Sequence, residues 1–266
     1  MTSKQSDSAA ARALFAGFTL ACASLSATAQ TTASAQLTNV KVQVVDLTPD
    51  DGIWPWVWVV NNVDWAPQAS SAVAQVDAAD APRESDGWLG TPLTAALGSA
   101  DASASASTGA SDFSAPDGAW ASASAQATRG ASSWSVAQLF GGQFFAGAGT
   151  EVVVTADVQS LEVDAAHGSA MALASLGISN ADGSAFDSSQ AWSFDGPDFV
   201  DASTPSTLTV RWDNFSDAAQ AGQLWVTVSA QALSAVPEPS GVSMLALAAL
   251  VGAAIRRRAN PSSRTW

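Results

Sequence analysis

His167 is the only imidazole in the chain, and it stands in Ala166-His167-Gly168 at an apparent strand-to-strand turn. A serine nucleophile needs a base within hydrogen-bond reach, and no Gly-x-Ser-x-Gly elbow accompanies this one. It reads as a solvated turn residue. Cys22, the only thiol, lies in an apolar run near the start. If that segment is removed, thiolate chemistry, disulfides and cysteine metal sites go with it. One imidazole and no thiolate cannot assemble the nitrogen and sulfur ligands of a zinc centre. Carboxylates are the abundant functional group. Glu84, Asp86, Glu151, Glu162 and Asp164 are candidates for the pair a glycosidase needs, but a generally acidic surface is the simpler account of them. Calcium takes oxygen ligands that a loop's carboxylates and carbonyls can supply. Asp46, Asp50 and Asp51, in Asp46-Leu47-Thr48-Pro49-Asp50-Asp51-Gly52, are where such an ion would bind. EF-hand spacing is absent, and turn formation explains the same residues. No catalytic residue and no resident cofactor are expected.

Tryptophan is the second group with chemistry to offer, at eleven residues against no tyrosine. Trp54, Trp56 and Trp58 alternate with Val57 and Val59 along Ile53 to Val60, which reads as a strand apolar on both faces, with Pro55 marking an edge or bend. A flat row of indoles suits glycan binding, yet a core face explains it equally simply and is the expectation. Trp65, Trp88, Trp120 and Trp134 fall in or near turns and are the better candidates for exposed contacts.

The elements that must position these residues are strands. Val40 to Val45 alternates with valines on one face and Lys41 and Gln43 on the other. Residues 69–127 form an alanine and serine tract, strictly alternating over Ala102 to Ser107 and Ala121 to Ala125. Strict alternation places every serine on one face of an extended strand and every alanine on the other. The tract therefore reads as strands of a sheet with a small-residue face, with a disordered linker as the alternative that such a composition also allows, and the turn signals Thr108-Gly109 and Pro116-Asp117-Gly118 favour a hairpin. Thr150 to Val158, Gly168 to Ser179, Ser206 to Trp212 and Gly222 to Ala232 are further strands separated by turn formers. The expected fold is all-β: one antiparallel β-sandwich of jelly-roll type over residues 30–235.

Both ends have a different character. Lys4 and Arg12 precede an apolar run from Ala13 to Leu25 and the small residues Ala27-Thr28-Ala29, a secretory signal peptide over residues 1–29, with Ala33-Ser34-Ala35 as a second cleavage site. Cys22 has Leu20 only two positions ahead, which argues against a lipoprotein signal. At the other end, Pro237 and Pro239 flank Glu238 and bar helix and central strand. Val242 to Ile255 carries no charge and reads as a helix of about 21 to 24 Å, short of the roughly 30 Å hydrocarbon core. Arg256, Arg257 and Arg258 follow it and can snorkel to the interface, marking the cytoplasmic side.

A proline-flanked glutamate, a short apolar helix and a terminal arginine cluster resemble the PEP-CTERM sorting signal of Gram-negative bacteria, with Pro237, Glu238 and Pro239 matching the motif residue by residue. The resemblance covers residues 236–266. It implies cutting near the motif by exosortase, a membrane-embedded transpeptidase-like enzyme, and release or transfer of the ectodomain outward, with exopolysaccharide as the associated partner.

Charge supports an outside location. Of twenty-four acidic residues all but Asp7 and Glu238 fall in the body, against Lys41, Arg83, Arg129 and Arg211, and the whole chain carries a net charge of -14. Such a surface repels nucleic acid and anionic lipid. Two functions follow from the residues: a noncatalytic cell-surface or biofilm-matrix protein, or a carbohydrate-binding or glycan-active domain on a sandwich.

Overall fold

The computed structural model describes residues 30–59, 70–80, 84–86, 92–109, 119–166 and 168–235. The predicted signal helix, the Pro237-Glu238-Pro239 motif, the membrane helix over 242–255 and Arg256 to Arg258 all lie outside the described residues. Among the described residues there is no helix, and so none long and apolar enough to cross a membrane.

One compact unit spans Ala29–Ala235. Its strands are β1 (Gln30–Asp46), β2 (Val57–Val59), β3 (Ser70–Val76), β4 (Ala79–Asp80), β5 (Glu84–Asp86), β6 (Leu93–Gly98), β7 (Ala102–Thr108), β8 (Ala119–Thr128), β9 (Ser132–Ala146), β10 (Thr150–Ala165), β11 (Gly168–Asn180), β12 (Asp187–Asp195), β13 (Val200–Ser203), β14 (Thr207–Asn214) and β15 (Gln220–Ser234). Six form one sheet in the order β14-β10-β1-β8-β7-β6; the other runs β13-β12-β11-β15-β9-β3-β4, with β2 added to β9 and β5 to β3. Every pairing is antiparallel. The sheets pack face to face, β8 against β9 and β15, β1 against β15 and β11. From β8 to β11 the chain crosses between sheets at each turn. The first crossing is tight because Arg129 and Gly130 both take positive φ, 54° and 81°, as a two-residue turn of primed type requires.

The alanine and serine tract forms β7 and most of β8, and its alternation selects the core face. Ala102, Ala104, Ala106, Ala121, Ala123, Ala125 and Ala127 are buried. The serines face outward and pair across the strands, Ser105 with Ser124 at 2.7 Å and Ser107 with Ser122 at 2.8 Å between hydroxyl oxygens. Alanine leaves little side chain between the layers, so the sheets close up. Cα atoms of β3 and β7, on opposite sheets, come within 8 Å, against about 10 Å for ordinary stacked sheets. Ser133 and Ser135 on β9 cross the gap and donate to the carbonyls of Gln126 and Ser124 on β8, each at 2.9 Å.

The core is graded. Along β15 the inward residues run Leu224, Val226, Val228, Ala230, Ala232; along β11 they run Ile178, Leu176, Ala174, Ala172, Ala170. At the large-residue end Phe144 meets the buried Trp212 edge to face at 5.1 Å, and the Trp212 indole donates to Asn180 Oδ1 at 2.7 Å. At the small-residue end both limits of the unit emerge together. Gln30 pairs with Thr128, Thr31 with Ala165, Leu233 with Ser132 and Ser234 with Gly168, and the Ser234 amide donates to the Ala131 carbonyl at 3.1 Å.

Three expectations are corrected. The strand read over Ile53 to Val60 shrinks to Val57–Val59, paired with Phe144 to Ala146. Pro55 lacks an N–H, and the Ile53 amide is held by Asp51 Oδ1 at 2.7 Å in the preceding turn, so pairing starts only beyond the proline. The tryptophan face is accordingly not core: Trp54 is 87%, Trp58 67% and Trp56 44% exposed. The strand at Val40 to Val45 extends back to Gln30, with Ala33 and Ala35 buried in it.

Candidate functional site

The loop holding the acidic candidates is built by its own side chains. Asp46 Oδ1 accepts from the Thr48 amide at 2.9 Å, and Asp51 accepts from Thr48 Oγ1 at 2.6 Å through Oδ2 and from the Ile53 amide through Oδ1. These two bonds, the hydroxyl's first, hold the Asp51 carboxyl below the ordinary carboxylate range. Asp46 and Asp51 thus converge on Thr48, committed to turn donors; Asp50 is exposed beside them. Among the described residues no three acid, histidine or thiol groups are grouped to hold a metal.

The paired-carboxylate candidates scatter. Glu162 and Asp164 are exposed on β10, and Glu84 and Asp86 lie on β5 against Ala72 and Ser70. Glu151 has a carboxylate neighbour on another strand, Asp213 directly across β10 and β14. Desolvation, then the Glu151 charge, push the Asp213 carboxyl up, with Arg211 opposing. Arg211 pairs with Glu151 at 2.7 Å, so the group is a surface charge cluster rather than a pair in a cleft. His167, Trp65 and Trp88 lie outside the described residues.

The exposed tryptophans cap the end away from the unit's limits. The Gly147 amide donates to the Trp56 carbonyl at 2.9 Å, and the Trp56 indole lies where a Cβ on Gly147 would be. Buried Asn214 secures the same turn: its amide donates to the carbonyls of Gly147 and Ala218 at 2.8 Å each, and its Oδ1 accepts from Ser216 Oγ at 2.7 Å. Trp225 similarly lies over Gly177 on the neighbouring strand and stacks with Phe186 at 5.4 Å. Indoles laid across glycines restore the packing that a missing side chain gives up.

A concave site occurs on the outer face of the second sheet. Trp134, half-buried on β9, has Gln75 of β3 directly opposite on one side and Gln231 of β15 on the other. The three border an open cleft of about 340 Å³ with Asp77, Ser132 and Ser133. Asp77 takes positive φ, 52°. Its amide donates to the Ser132 carbonyl at 2.9 Å, and its Oδ1 accepts from the Ser132 amide at 2.8 Å. This reciprocal pair fixes one wall. Neither glutamine amide has a side-chain partner among the described residues. Beyond Gln231 the same cross-strand row continues to Met171 and Phe194, the latter stacked on Phe199 at 4.6 Å. Sequence reasoning named Trp134 but not the glutamines. Their shared row depends on register across three strands distant in the chain, which no local pattern carries.

Against known proteins, the chain matches no family model, no curated protein and no solved structure.

Proposed function

We propose that this chain is an exported, exosortase-processed cell-surface or biofilm-matrix protein with a noncatalytic, exopolysaccharide-associated ectodomain. The observation that carries the reading is where the compact unit stops. It spans Ala29–Ala235, so the predicted signal peptide over residues 1–29 ends at its first residue and the Pro237-Glu238-Pro239 motif begins two residues past its last. Cutting beside either limit spares every strand. Cleavage at the second signal site would not, because Ala33 and Ala35 are buried in the central strand β1, and this favours the Ala27-Thr28-Ala29 site.

The repeated crossing from β8 to β11 supports a jelly-roll type of winding, and the sequence at either end supports a signal helix and a short membrane helix whose arginines stay on the cytoplasmic side. No resident cofactor enters the reading.

Intact mass spectrometry of the protein from surface and culture fractions of its own host tests it. A mass beginning near Gln30 and ending near Pro237 to Ser240 is expected. A product retaining Arg256 to Trp266 would sink the sorting part of the proposal.

A further inference from the structure

We infer that the cleft around Trp134 is a carbohydrate-binding site for a neutral glycan chain, with Gln75 and Gln231 as its hydrogen-bonding walls. The faces of a pyranose ring are C–H rich and its rim is hydroxyl rich. It therefore asks for an aromatic plane with donors and acceptors at the plane's edges. Trp134 is half-buried, so part of its surface stays open to a ligand. Gln75 and Gln231 stand on the two adjacent strands in register with it. Each amide offers a carbonyl acceptor and two N–H donors, and neither is engaged by another described residue. Charged side chains would tie the site to ionic ligands; amides suit hydroxyls.

The size and charge of the cleft narrow the class. About 340 Å³ is at the small end of ligand sites, room for a short stretch of sugar rather than a large aglycone. Among the described residues Asp77 supplies the only charge lining the cleft, and the body around it is strongly acidic, so uronic or sulfated sugars are repelled while neutral and N-acetylated ones are not. The cleft is open, and beyond its Gln231 wall the cross-strand row of residues runs on through Met171 to Phe194. Three strand spacings separate Trp134 from Phe194, about 14 Å, which fits an extended chain crossing the strands better than a single sugar. The site deepens the proposed matrix association and rests on it only for a polymer as the source of the glycan.

The test uses the purified full chain in a zwitterionic, non-sugar detergent, titrated with cellotetraose, chitotetraose and a galacturonate tetramer by calorimetry. Saturable binding of a neutral or N-acetylated tetramer, with Kd at or below about 1 mM, and none of the galacturonate is expected. Trp134→Ala and, separately, the double variant Gln75→Ala/Gln231→Ala should each weaken it at least about tenfold. The Trp54→Ala/Trp58→Ala double variant should not. The two glutamine substitutions remove no core contact, so the test survives a misfolded Trp134 variant. Absence of binding to both neutral tetramers, binding unchanged in the glutamine variant, or binding lost only with Trp54 and Trp58 would each overturn the proposal. Failure here leaves the mass-spectrometric test of sorting untouched, and failure there leaves this one untouched.

Discussion

Replacing Ala123 by valine separates two views of this core by the sign of its effect. Valine is the better strand former by up to about 1 kcal/mol, and burying its two extra carbons in available space would contribute roughly 1.6 kcal/mol. On pattern alone the variant should be stabilised. The structure leaves no such space. Ala123 is 3% exposed, pairs with Ala35 and Ala106 on its two flanks, and precedes the carbonyl that Ser135 reaches from the opposite sheet at 2.9 Å. Added methyls must force β8 and β9 apart, and overpacking of this kind costs about 1–3 kcal/mol. At about 2–4 °C per kcal/mol for a domain of this size, the melting temperature should fall by about 2–12 °C. Ser103→Val on the exposed face of β7 is the control, expected within about 0.5 kcal/mol of the parent. Urea unfolding of both variants, read from the midpoint at constant slope, decides it. A raised midpoint for Ala123→Val would show that the sheets do not close up as described and would refute the reasoning.

Asn214→Ala should destabilise by about 1–3 kcal/mol, because it strips a donor from the Gly147 and Ala218 carbonyls and an acceptor from Ser216; hydrogen exchange should quicken at residues 215–218 before it does in β10. Acid titration should separate Asp51 from Asp213. A carboxyl whose folded pKa is lowered stabilises above its unfolded value and loses that contribution as pH falls through the folded one, so Asp51→Asn should weaken the fold near neutral pH and match the parent in strong acid. The raised Asp213 has the opposite sign. Its penalty appears as pH rises through the folded pKa, so Asp213→Asn should strengthen the fold near neutral pH and lose that advantage in acid, measured by urea midpoints across the range.

The parts of the fold legible in the sequence were those where the larger residue of each alternating pair points inward. Leu208, Val210 and Trp212 on β14, and Leu224, Val226 and Val228 on β15, show their core face by hydropathy alone. The alanine and serine tract was also legible, because strict alternation orders two small residues by polarity. The strands β9 and β12 were not named. Over the first part of β9 the buried residues are Ser133, Ser135 and Ala137, while Trp134 and Val136 turn outward, and only further on do Leu139 and Phe144 face the core; in β12 Ala191 and Ser193 are buried and the neighbouring Trp192 and Phe194 are more open. Hydropathy reads such a strand with its faces exchanged. The error over Trp54 to Trp58 is the same one, a row of large apolar residues assigned to the inside.

This inversion follows from the spacing of the sheets, and it ties the candidate site to the packing. Where the layers approach closely enough for a serine to bond the opposite backbone, as Ser133 and Ser135 do, no aromatic side chain can be accommodated between them. A tryptophan in β9 at that level has only the outer face left. The outer row holding Gln75, Trp134, Gln231, Met171 and Phe194 therefore lies over the thin part of the core, where the inward neighbours are Ala74, Ser133, Ala170, Ala172 and Ala232. A flat aromatic platform needs a sheet that does not bulge beneath it, and small residues underneath supply that support. On this account Ala123→Val has a second consequence: by pushing β9 outward it should disturb the register of Trp134 with its glutamines. A loss of neutral-glycan binding in a variant whose substitution is buried on the opposite sheet would link core spacing to recognition, and retained affinity in a destabilised variant would separate them.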